Sequence, residues 1–209
     1  MTLDGTLLDD TILALWGAGS LLIAMHIMRI PVLGGLLSER AWYALVLAVV
    51  VVAAIAGAGV SPWPVRLDWM SIGVLAAAPA AGFVAYRIDQ RIVRRLSGPA
   101  RMIGREPSAL PLLMAIAVLE ELVYRGLLLD FCFRLPGFGW QVTGVAGMTI
   151  WFALVHVWYG WVHVAAKAPL SIVATALALL GGGPAAAVLA HVMFNYQICR
   201  RGSSLGAVS

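Results

Sequence analysis

Residues 11–28, 41–60 and 69–86 each run without an Asp, Glu, Lys or Arg. Stretches of about 20 apolar residues are long enough to cross the hydrocarbon core of a bilayer as helices. Lipid offers the backbone no water to bond, so even the four consecutive valines at 49–52 are held in helix. Polar breaks separate the segments. Arg29-Ile30-Pro31 ends the first; Gly34, Gly35, Ser38, Glu39 and Arg40 precede the second; Ser61-Pro62-Trp63-Pro64 lies before the third, with Trp63 and Trp69 at interfacial positions. Residues 110–133 read as a fourth span. Residues 141–199 hold three more, divided near Lys167-Ala168-Pro169 and at 181–184. A full span takes ~20 residues, so these last helices are expected to be short, tilted or broken. The expected fold is all-α: a polytopic membrane bundle of about seven transmembrane helices around a polar intramembrane cavity.

Composition agrees. Apolar residues are 62% and charged residues 11% of the 209, where soluble domains are about a quarter charged. The mean hydropathy is +0.93. No room is left for a soluble domain. The chain divides into N-terminal spans with a basic loop (1–106), a helical core (107–201) and a polar C-terminal tail (202–209). The net charge of +4 is an orientation signal. It is no nucleic-acid signal, because basic residues and aromatics do not interleave in a patch. Arg29, Arg40, Arg87, Arg91, Arg94, Arg95, Arg101, Arg105, Arg200 and Arg201 share one side of a seven-span arrangement, against Arg66 and Arg134 on the other. By the positive-inside rule the N-terminus is outside and the C-terminus cytosolic. Apolar residues among the arginines of 87–105 suggest a helix lying on the membrane surface. The acidic start, with Asp4, Asp9 and Asp10, does not resemble a cleaved signal. Cys132 and Cys199 have no metal or disulfide spacing and read as free thiols. Arginine makes up thirteen of the fourteen basic residues, which with abundant Ala and Gly suggests a bacterial cell membrane as the setting.

The fourth span carries charges that lipid does not tolerate idly: Glu120, Glu121 and Arg125. Glu121 and Arg125 are four apart and can pair on one helix face. Glu120 points about 100° away at ~3.6 residues per turn and is left for chemistry. His156 lies in the fifth span, and His191 and Asn195 lie i,i+4 on the seventh. Counted from their span ends, Glu120 and His191 both approach the midplane. A buried set of Glu, His, His and Asn suits hydrolysis. One Glu and one His can activate water, and a His and an Asn can donate to an oxyanion. Each residue also has a plainer use, as an interhelical hydrogen bonder or a structural charge. His163 is expected near an interface, outside the site. Ser20, Ser71 and Ser171 sit in no nucleophile motif.

Glu120-Glu121-x-x-x-Arg125, Phe152-x-x-x-His156 and His191-x-x-x-Asn195, in this order on successive apolar segments, resemble the CPBP family. These are the CAAX-protease and bacteriocin-processing membrane proteins, which include the Ras-converting endopeptidases. The resemblance implies an intramembrane endopeptidase. It makes Glu120 the general base, with His156 helping to hold and polarise the water. His191 and Asn195 then stabilise the tetrahedral oxyanion, Glu121 with Arg125 holds the glutamate-bearing helix, and Phe152 packs the cavity wall. It further implies a peptide or protein substrate in the bilayer, with a lipidated or membrane-anchored C-terminus as one precedent.

No metal is expected. The zinc alternative would draw on Glu120, His156 and His191 as three ligands, but there is no His-Glu-x-x-His motif and Asn195 is a poor zinc ligand. Two other functions remain open on sequence: a non-catalytic immunity or binding protein on the same fold, and a proton-coupled transporter. The first has no need to keep Glu120 charged. The second usually carries an inverted repeat, and none is evident.

Overall fold

The computed structural model describes residues 39–58, 68–97, 110–181 and 183–206. The expected first span at 11–28 lies outside them. The described residues are almost entirely helical, without a strand, and seven α-helices are named here in chain order. They are α1 (Glu39–Ala58), α2 (Trp69–Ser97), α3 (Leu110–Glu121), α4 (Leu129–Arg134), α5 (Phe138–Leu154), α6 (Trp161–Gly181) and α7 (Pro184–Gly206). A π-helical segment, Leu122–Leu128, joins α3 to α4, and a 3-10 turn, Val155–Tyr159, follows α5. Trp69–Ser97, Phe138–Val157 and Trp161–Gly181 are long and apolar enough to cross a membrane. Exposed Trp69, Trp140 and Trp161 stand at or near the starts of α2, α5 and α6, where amphipathic rings suit the interface. The chain is an integral membrane protein.

α6 and α7 pack against each other and both against α2; α7 also packs on α3, and α5 on α6. Lipid gives helices no hydrophobic drive to associate, so close van der Waals packing must hold them. At the α2–α7 crossing the packing is backbone to backbone. A Cβ on Gly82 would overlap the carbonyl of Ala190, and Ala78, Ala186 and Ala190 fill the same seam. Larger side chains, among them Leu47, Tyr86, Tyr124, Phe152, Leu170 and Phe194, form the rest of the core.

Two sequence expectations need correction. The basic stretch after Tyr86 is no separate surface helix at 87–97, because α2 continues unbroken through it with Pro79 inside. The division near Lys167-Ala168-Pro169 is absent as well. Pro169 lies within α6, and the break comes at Gly160, whose φ of +101° suits a residue without a Cβ. A proline inside a membrane helix is tolerated because neighbouring groups satisfy the freed carbonyl. Lys167 therefore faces the protein and not a loop: its ammonium lies 3.4 Å from Asp89 of α2 and 3.9 Å from the centre of the Phe194 ring.

Candidate active site

The sequence places two adjacent carboxylates at the end of α3, and the fold sends them to different partners. Glu121 and Arg125 are fully buried and paired, with Arg125 Nη1 3.1 Å from Glu121 Oε2. Arg125 spans the bundle to α6, where its Nη2 donates to the Ser171 carbonyl (2.9 Å) and Oγ (3.0 Å). Its guanidinium carbon sits 4.4 Å from the Phe152 ring centre. Ser171 Oγ in turn donates to the Thr149 carbonyl on α5 (2.6 Å). One buried cation thus ties the π segment, α5 and α6 together. The π segment begins directly after Glu121 and buries Val123, Tyr124, Arg125 and Gly126 in succession. Such widened turns recur at functional sites.

Glu120 is buried too. Its Oε1 accepts the Tyr43 hydroxyl of α1 at 2.7 Å, and its Oε2 lies 3.7 Å from His191 Nε2. The other nitrogen of His191 meets Glu121, with Nδ1 2.8 Å from Oε1. A paired carboxylate is acceptor-only, so Nδ1 carries a proton and donates. His191 consequently bridges the two glutamates, its Nε2 directed to the Glu120 side. Phe152, fully buried, packs at the middle of this group. Its ring centre is 5.0 Å from that of Tyr124, 5.5 Å from His156 and 5.9 Å from His191.

His156 reaches the cluster from the 3-10 turn, its Nδ1 3.0 Å from the Phe152 carbonyl. Asn195 is buried one turn beyond His191, and its Nδ2 donates to the Leu113 carbonyl at 3.0 Å. One amide hydrogen is thereby used on the α3 backbone and one is left for a ligand. The Tyr124 hydroxyl is buried with no hydrogen-bond partner among the described residues. His163 stands outside the cluster, its ring 6.1 Å from that of Tyr159. Among the described residues no three His, Cys, Asp or Glu side chains stand in metal-holding geometry.

Two polar contributors escaped the sequence reading. Tyr43 comes from a segment with no motif, 77 residues from Glu120; only a hydroxyl in an otherwise apolar span hinted at it. Thr175, 3.4 Å from Arg125 Nη2, lies one turn after Ser171, a spacing that could have suggested a shared polar face.

Residues 107–197 match the family model described as type II CAAX prenyl endopeptidase Rce1-like. The matched segment holds every motif on which the family resemblance was drawn, and that resemblance is borne out. No curated protein and no solved structure matches the chain.

Proposed function

We propose that this chain is a metal-free intramembrane endopeptidase in which Glu120 activates the water. The observation that carries the proposal is the division of labour between neighbouring carboxylates. Glu121 is committed to Arg125 and His191, whereas Glu120 is held by one neutral hydroxyl with His191 Nε2 beside it. Glu120 takes a proton from water as the water oxygen attacks the peptide carbonyl carbon. The oxyanion draws on Nε2–H of a doubly protonated His191 and on the remaining amide hydrogen of Asn195. Before attack two carboxylates face one imidazolium and one guanidinium, and in the intermediate the oxyanion takes over the charge that Glu120 gives up, so the charges of this group sum to zero in both states. Collapse of the intermediate breaks the C–N bond, and Glu120 hands its proton to the leaving amine. His156 helps to orient the water, and Phe152 fixes the spacing of the two histidine rings.

The name of the matched family supports a substrate with a lipidated or membrane-anchored C-terminus. We further propose seven spans, a cytosolic C-terminus, a bacterial cell membrane, and a catalytic unit at 107–201 behind N-terminal spans at 1–106. To test the reading, the purified full-length chain is reconstituted in liposomes with a membrane-anchored fluorogenic peptide, before and after extended chelation. Cleavage that survives chelation, with far less than one zinc per chain, is expected. Chelation that abolishes cleavage, reversed by added zinc, would overturn the metal-free mechanism.

A further inference from the structure

α2 and α7 run parallel, since Gly82 meets Ala190 and Gln90 meets Arg201. Their C-terminal ends enclose a cavity of about 510 Å³, within the usual size of a ligand pocket. Four arginines line it, Arg87 and Arg94 from α2, Arg200 and Arg201 from α7, and among the described residues no Asp or Glu does. Asp89, on the same stretch of α2, is turned away to Lys167. Gln90 holds guanidinia from both helices. Its carbonyl accepts Arg94 Nε at 3.1 Å, and its Oε1 accepts Arg201 Nη1 at 2.9 Å. Below them Phe83, 41% exposed, forms the apolar part of the wall, with Arg87 5.9 Å over its ring.

Guanidinium groups gathered in one cavity repel one another, and an anion relieves the repulsion. The planar arginine fork matches phosphate oxygens two at a time. The cavity also lies where α2 passes from its apolar length into its basic turns, with polar groups above and an aromatic below. A phosphate attached to an acyl chain fits that vertical order, and basic pockets between membrane helices take anionic headgroups. We propose that this cavity binds the headgroup phosphate of an anionic phospholipid. The bound headgroup would clamp α2 to α7, the helix that carries His191 roughly 14 Å further along at ~1.5 Å per residue. The inference does not depend on the peptidase reading.

The test uses the full-length chain in nanodiscs containing equal amounts of phosphatidylglycerol and phosphatidylcholine. Lipid retained after detergent extraction is counted by native mass spectrometry. Phosphatidylglycerol should be retained over phosphatidylcholine by at least about tenfold, the worth of one charge-assisted hydrogen bond. Arg94→Gln/Arg200→Gln should remove that preference. Arg91→Gln/Arg95→Gln removes the same amount of charge, all of it from α2 and none from the cavity lining, and should keep it. Equal retention of the two lipids, or equal loss in both double variants, would overturn the proposal. Displacement of the lipid by inorganic phosphate alone would assign the cavity to a soluble anion and overturn the lipid assignment.

Discussion

Replacing Glu121 by Gln removes one charge from a pair with no access to water. Both side chains are fully buried, so Arg125 is left as an uncompensated cation inside the bundle. Breaking such a pair by deleting one partner costs about 3–5 kcal/mol. The lower end applies here, because the guanidinium keeps the Ser171 carbonyl and hydroxyl as acceptors and the Phe152 ring face. The amide oxygen left at position 121 also keeps a weaker bond to His191 Nδ1. We therefore expect Glu121→Gln to lose about 3 kcal/mol, more than a hundredfold in the folded-to-unfolded ratio. SDS-driven unfolding in mixed micelles reads this directly. Glu121→Gln/Arg125→Met should recover most of the loss, since exchanging a buried pair for apolar volume is often neutral or stabilising. An unfolding midpoint for Glu121→Gln at the wild-type value would refute the reasoning, and so would a double variant no more stable than the single one.

Tyr43→Phe deletes the hydroxyl that Glu120 accepts at 2.7 Å. A hydrogen bond to a charged group is worth about 1.5–3 kcal/mol, so turnover should fall by roughly ten- to a hundredfold with substrate binding kept; unchanged turnover would remove Tyr43 from the site. Gly82→Ala drives a methyl into the Ala190 carbonyl, and forcing extra volume into such a seam costs about 1–3 kcal/mol. Its unfolding midpoint should drop, whereas Gly73→Ala, with open space around the new methyl, should not.

What could be read from the sequence depended on how far apart the partners lie. Glu121 and Arg125 share one helical stretch, and an i,i+4 spacing among apolar residues already implied their pairing. That inference survived the π segment, because both residues stay on the inner side of the widened turn. The membrane class followed from uncharged length alone. Partners distant in sequence were not legible. Nothing near Tyr43 marks it as the residue that meets Glu120, and nothing around Lys167 points to Asp89 or Phe194. Lys167 beside Pro169 imitates a loop, since a cation and a helix breaker usually mean one. The buried carboxylate that neutralises the lysine could be known only once α2 and α6 were packed. His191 was singled out for its depth, but its bridging of both glutamates depends on how α7 is rotated against α3.

The central claim is that Glu120, and not its neighbour, activates the water. The most direct measurement is the turnover number of purified Glu120→Gln on the membrane-anchored peptide, taken together with its unfolding midpoint. The amide can still accept the Tyr43 hydroxyl, so stability should stay within about 1 kcal/mol of wild type. Turnover should fall by the ~10²–10⁴-fold that a general base contributes, or below detection. A folded Glu120→Gln protein that cleaves at the wild-type rate would contradict the account.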